Sequence, residues 1–287
     1  MSNLRKATRL KAKIRLGLSA VSGGGKTYSA LLIAFGLCGD WNKVAVIDTE
    51  NNSADLYAHL GDYSVLPISG NYSPENYTKA IKECEEAGME VIIIDSISHE
   101  WEGEGGILDI HSKMAGNSFT NWALLTPRHN KFINSMLQCS AHIITTVRRK
   151  QDYEMGVNDK GKTMPIKVGL KEVTRDGFEY ELTANLEIDT KHGATASKDR
   201  TGLFMGKLSF IPSIETGQMI ADWCESGVDI NEAIIDGIIK LKNCFSVEEL
   251  TMLKETLPNY VADATDFKVA GLKRYKEITA NKELKTA

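Results

Sequence analysis

Between a short alternating run, Ile14-Arg15-Leu16-Gly17-Leu18, and a mostly apolar stretch from Thr27 to Cys38 lies the loop Ala20-Val21-Ser22-Gly23-Gly24-Gly25-Lys26-Thr27. No other feature constrains the fold as much. Glycines 23–25 let the backbone curl so that successive N–H groups converge on one anion, and a helix starting at Thr27 adds the positive end of its dipole. The segment follows the phosphate-cradling pattern G-x-x-x-x-G-K-[ST], with Ala20 standing where the first glycine would be. Alanine serves there if its φ is negative.

This chemistry implies a nucleoside triphosphate. Lys26 is expected to reach the β- and γ-phosphates of ATP, and Thr27 to offer its hydroxyl to Mg2+. Ser22, Gly23, Gly24, Gly25, Lys26, Thr27 and Tyr28 form the expected nucleotide-binding set.

Downstream, β-branched and apolar runs alternate with helical stretches. Lys43–Asp48 and Glu90–Asp95 read as strands ending in an acid, and Ala141–Val147 as a third buried strand. Pro74–Gly88 and Asn121–Cys139 read as helices. The alternation predicts an α/β fold, with a mostly parallel central sheet flanked by helices. Ligands of such sheets sit at the carboxyl ends of the strands, where the glycine loop, Asp48, Glu50 and Asp95 would all emerge. Asp95 follows Val91–Ile94, as an aspartate that holds Mg2+ should. Glu50 stands two residues past Asp48, placed to orient a water against the γ-phosphate.

Between about 150 and 211 the chain reads as shorter strands and loops, with a turn at Asn158–Lys162 and strands at Asn185–Asp189 and Leu203–Ile211. Helices follow at 229–243, 246–256 and 264–283. Two domains are expected: a core over 1–226 with a basic N-terminal extension, and a helical appendage over 227–287.

With 287 residues, 42% of them hydrophobic and 25% charged, the chain is long enough to bury such a core. No apolar run reaches the roughly 18 residues of a membrane span, and no signal peptide is read at the N-terminus. The five cysteines, Cys38, Cys84, Cys139, Cys224 and Cys244, show no zinc or disulfide spacing, so a reducing cytoplasm is the expected setting. His99-Glu100 is not a zinc motif, because Gly stands at 103. A net charge of −4 argues against a broadly basic nucleic-acid coat. Two basic clusters stand out nonetheless: Arg5, Lys6, Arg9, Lys11, Lys13 and Arg15, and then Arg148-Arg149-Lys150.

The stretches Val44–Glu50, Ala54-Asp-Leu-Tyr57 and Val91–Ser96 resemble the core of RecA-like recombinases. The resemblance covers about residues 10–212 and implies a RecA-like P-loop NTPase core. It assigns Glu50 as catalytic base and Asp95 as the Mg2+ aspartate. Ile143–Arg148 resembles the strand whose end carries a γ-phosphate sensor, a position that falls on Thr146. Lys198-Asp-Arg200-Thr-Gly202 resembles the K-x-R-x-G element of RadA-like members, which implies that Lys198 and Arg200 reach ATP held by a neighbouring subunit. Such a protein assembles with itself as a ring or filament.

More narrowly, the chain is similar to RecA-like ATPases that tailed phages encode beside single-strand annealing and single-strand-binding genes, through Gly103–Gly106, Asn117–Thr120 and Lys167-Val-Gly169. That implies action on single-stranded DNA in recombination, annealing or repair within a host cytoplasm, with a single-strand-binding protein as a further partner. Two DNA-binding loops are expected at 99–120 and 149–177. They and Arg148 beside the second carry Trp101, Lys113, Phe119, Arg149, Lys150, Tyr153, Lys160, Lys162, Lys167 and Lys171, mixed with Glu100, Glu102, Glu104, Asp152 and Glu154. Two other readings of the same core are a helicase-type or helicase-loading motor and a nucleotide-gated regulator that binds protein.

Overall fold

The computed structural model describes residues 6–157 and 163–286. Its strands and helices run β1 (Arg15–Ala20), α1 (Lys26–Cys38), β2 (Val44–Asp48), β3 (Ser64–Pro67), α2 (Pro74–Glu86), β4 (Val91–Asp95), α3 (Ser98–Glu102), α4 (Ile107–Lys113), α5 (Ser118–Gln138), β5 (His142–Val157), β6 (Thr163–Glu172), β7 (Ala184–Ile188), β8 (Ala194–Asp199) and α6 (Ile214–Glu225). The helices α7 (Ile230–Lys242), α8 (Val247–Thr256), α9 (Asn259–Ala262) and α10 (Thr265–Thr286) follow. Two compact units divide the chain: Lys13–Trp223, and Met1–Ala12 with Cys224–Ala287.

The first unit is an α/β P-loop core. Its strands lie in the order β3-β2-β4-β5-β1-β7-β8, with β6 pairing β5. All neighbours from β3 to β7 run parallel, and only β7–β8 and β5–β6 are antiparallel. Every residue of β1, β2 and β4 is buried, which is why β2 and β4 read as apolar runs closed by an acid. Ala45, Ile47, Ile92, Ile94 and Ile143 pack with Tyr77 and Ile81 of α2 and Phe132 and Met136 of α5. Those helical residues recur at helix spacing, so α2 and α5 each bury a single stripe on the sheet. Next to α1 the backbone of α6 approaches closely. A Cβ on Gly36 would fall 2.1 Å from the Ile214 carbonyl oxygen, and one on Gly217 2.2 Å from that of Ile33.

Two expectations change. Leu203–Ile211 is not a strand: only Phe210 bridges to Ala194. The Asp199 carboxylate accepts N–H bonds from Thr201, Gly202, Phe204 and Met205, curling the chain into turns instead of a ladder. β5 does not stop at Val147 but runs on to Val157 as an exposed ribbon with β6. The basic N-terminal stretch is engaged internally, because Lys11 pairs with Glu225 and Asp229 and Lys13 meets His142. Arg15 is buried, and its guanidinium donates to the carbonyls of Ile14, Leu137, Cys139 and Ala141, completing the end of α5. Arg5, Lys160, Lys162 and the Asn158–Lys162 turn lie outside the described residues. Among the described residues no helix is long and apolar enough to cross a membrane.

In the second unit Leu241, Val261 and Phe267 form a small core. Helix α8 begins with a reciprocal capping box between Ser246 and Glu249.

Candidate functional site

The loop that leaves β1 takes its shape from glycine. Gly23 and Gly25 have φ of 76° and 82°, a region that strains any residue with a Cβ. Gly25 is also the N-cap of α1, so no side chain covers the first amides of that helix. Open amides and a helix dipole aimed at one point suit a phosphate. Lys26 Nζ donates to the carbonyls of Ala20 and Val21 at 3.3 Å each, long bonds that a phosphate oxygen can readily replace. His192 closes the other side, with Nδ1 3.2 Å from the Gly24 carbonyl oxygen.

Across the sheet, Thr27 Oγ1 donates to Asp95 Oδ2 at 2.5 Å, and Thr146 Oγ1 donates to Asp95 Oδ1. β5 lies between β1 and β4, and that strand order sets Thr146 beside Asp95. Thr146 is fully buried and positions the Asp95 carboxylate, in place of the expected sensor role on the cavity wall. Asp95 itself is only 1% exposed. Burial pushes its carboxyl above the ordinary range, against the two hydroxyl bonds. A divalent cation beside Thr27 and Asp95 would supply the missing counter-charge. Among the described residues no cluster of three or more His, Cys, Asp or Glu could hold a metal alone. An Mg2+ here would therefore rely on phosphate oxygens and water for its other ligands, as is usual for this ion. The residues fit an Mg2+-nucleotide, and the buried Ser53 Oγ on the cavity wall, without a partner among the described residues, adds a polar contact for one.

Glu50 is placed by its neighbour in the strand. Asp48 is buried and accepts from the amides of Glu50 (2.6 Å) and Ala54 (2.9 Å), folding the segment after β2 over the sheet's carboxyl edge. The Glu50 carboxylate then meets Arg148 Nε at 3.0 Å. Burial works to raise this carboxyl, but the Arg148 bond and the charges of Arg148 and Lys26 outweigh it and hold it below the usual range. Lys26 is shifted down by burial, partly offset by the charges of Asp95 and Glu50.

Ser22, Gly23, Gly25, Lys26, Thr27, Tyr28, Glu50 and Arg148 thus line one cavity of about 1060 Å3. Gly24 stands behind it, where a Cβ would lie 2.7 Å from that of Ala20. One wall is aromatic: the rings of Tyr28 and Tyr57 lie 5.9 Å apart. Sequence reasoning did not assign Tyr57, His192 or Arg148 to this cavity. For Arg148 a signal was present, because it follows an apolar strand at the edge where ligands bind.

Lys198 and Arg200 are not in this cavity. Lys198 pairs in register with Asn185, which itself lies beside Gly17, so both cations stand at the end of the strands away from the glycine loop. There Lys198 Nζ donates to the carbonyls of Glu179 and Tyr180 at 2.6 Å, and Arg200 to that of Tyr180 at 3.1 Å. The basic run midway along β5, where the strand leaves the central sheet, fans out to three acids: Arg148 to Glu50, Arg149 to Glu187 and Lys150 to Glu102. Of the expected loop residues, Phe119 and Tyr153 are exposed. Glu100 is buried and hydrogen-bonds His129, so it is part of the scaffold.

No curated protein matches the chain. The AAA domain family matches residues 12–207, a span that holds the glycine loop, Glu50, Asp95, Arg148 and both cations of the β8 end. Together with the P-loop core and the cavity at its carboxyl edge, that match identifies the chain as a member of the AAA domain family of nucleotide-binding P-loop ATPases.

Proposed function

We propose that this chain is a RecA-like ATPase that hydrolyses ATP with Mg2+ and acts on single-stranded DNA in recombination, annealing or repair. The observation that carries the ATPase part is the convergence of Lys26, Thr27, Glu50 and Arg148 on one cavity, with Asp95 hydrogen-bonded to Thr27 behind its wall. The loop amides and Lys26 bind the β- and γ-phosphates. Thr27 and Asp95 hold Mg2+, which would neutralise charge on the phosphates. Glu50 accepts a hydrogen bond from water and orients it in line with the γ-phosphate. Arg148 is shared: a γ-phosphate competes with Glu50 for its guanidinium, and releasing Glu50 frees that carboxylate for the water.

Single-strand binding is supported by the exposed β5–β6 ribbon, which carries Lys150, Lys167, Lys171 and Tyr153 and grows from the strand that bears Arg148. Cations and aromatics on one such surface suit unpaired strands. In fluorescence anisotropy with a labelled oligothymidine, affinity is expected to fall steeply with salt and to change when ATP is added. Contact with about four phosphates gives a log–log slope of about −3. No binding at low salt, with or without ATP, would point instead to a regulator of proteins, and strand displacement to a motor.

The active unit in this reading is an assembly. Lys198 and Arg200 sit on the hairpin of the edge strand β8, away from their own glycine loop, where a second copy can be reached. Mixing a Glu50→Gln chain with an Arg200→Ala chain should restore part of the ATPase activity, since a mixed interface pairs an intact Glu50 site with an intact Arg200. Co-assembly without any restored activity refutes the action in trans.

A further inference from the structure

A second cavity of about 450 Å3 lies beside the root of the ribbon, lined by Trp101, Trp122, Lys150, Lys171 and Arg175. We propose that it receives one unpaired nucleobase of a bound single strand, stacked on the Trp101–Trp122 surface with the flanking phosphates on the three cations. The proposal rests on the single-strand reading above and names where the strand is held.

Four observations carry it. The two indoles are nearly parallel, with centroids 5.9 Å apart at 25°, and Trp122 is backed by His111 at 4.4 Å and 24°. Both tryptophans are half-buried, so part of the aromatic surface is available to a ligand. The platform is also fixed in advance. Beside Trp101, Glu100 is buried and hydrogen-bonds His129 of α5 at 3.0 Å, and the His129 ring meets Trp101 edge-on at 6.0 Å. A rigid platform loses little freedom when a base settles on it. The volume lies within the ~300–1,000 Å3 of typical ligand sites.

The cations are available at small cost. Lys150 pairs with Glu102 and Lys171 with Asp176 in exposed geometry, and Arg175 donates to Thr126 Oγ1 at 3.2 Å. Exposed pairs of this kind exchange readily for a phosphate. Two acids, Glu172 and Asp176, also border the cavity, which limits how many phosphates it holds and leaves stacking as the main attraction. A base in a duplex is covered on both faces and cannot enter, so the cavity selects unpaired strands. Lys150 and Val173 line this cavity and the nucleotide cavity alike, so the two sites share a wall where β5 leaves the central sheet.

The test compares oligothymidine with an abasic oligonucleotide of the same length. With Trp41→Phe and Trp223→Phe as background, the only indoles left are Trp101 and Trp122. Oligothymidine is expected to quench their fluorescence, and the abasic strand to leave it unchanged. Trp101→Ala or Trp122→Ala should weaken oligothymidine binding roughly 5- to 150-fold, the fold-change of one lost base stack, and leave abasic binding alone. Basal ATP turnover, measured without DNA, should stay as in the parent and so confirm folding. If single strands bind but the abasic strand binds and quenches equally, this cavity is not the base site, while the single-strand reading stands. If no single strand binds, the single-strand reading falls with it.

Discussion

Lys26→Ala abolishes ATP turnover and leaves the fold in place. The Lys26 side chain crosses the mouth of the glycine loop, bonded among the described residues to two loop carbonyls at 3.3 Å. Losing those long bonds costs little stability. The catalytic loss is much larger, because a full positive charge disappears where negative charge moves onto phosphate oxygens. At 4 Å and an effective dielectric near 20, one charge pair is worth about 4 kcal/mol, or roughly a thousandfold in rate. Phosphate release should therefore fall about a thousandfold or more, while thermal melting followed by circular dichroism shifts by only a few degrees. A folded variant that turns over at the parent rate would remove the phosphates from this loop.

Glu50→Gln separates binding from chemistry. Glutamine keeps the size and the Asp48-directed backbone of Glu50 but cannot act as a carboxylate acceptor. Hydrolysis should fall about 10²- to 10⁴-fold, the usual contribution of a positioned general base. Labelled ATP should still be retained on a filter, and more tightly than by the parent, because Arg148 is released toward the γ-phosphate. Stability hardly enters. The Glu50 and Arg148 side chains are 26% and 39% exposed, and an ion pair that open contributes at most about 1 kcal/mol. Normal hydrolysis by this variant would make Glu50 a tether for Arg148, with the water oriented by another group.

The contrast between these sites and the rest of the fold shows what a sequence can disclose. The glycine loop and Asp95 were legible because their signals are local. A glycine run ends in Lys-Thr at the head of a helix, and Asp95 closes a run of apolar residues buried on both faces. Pairings between distant segments were not legible. Arg148 reaches Glu50 across 98 residues, and nothing near Arg148 in sequence announces that bond. The far half of β5 is polar and takes its strand form from pairing with β6, so the end of the apolar run at Val147 gave a false stop. Leu203–Ile211 has the composition of a strand, but the amides of Phe204 and Met205 are captured by one carboxylate, Asp199. Trp122 joins Trp101 only because α5 folds back over α3, so the second cavity had no contiguous signature.

Phosphate release from ATP by the 287-residue chain, with and without Mg2+ and beside the Lys26→Ala variant prepared in the same way, tests the central claim most directly. The expected result is steady turnover that stops when EDTA removes Mg2+ and is absent from the variant. Turnover that survives both treatments, or none from the unmodified protein with Mg2+ and single-stranded DNA present, would contradict hydrolysis at Lys26, Thr27, Glu50 and Asp95.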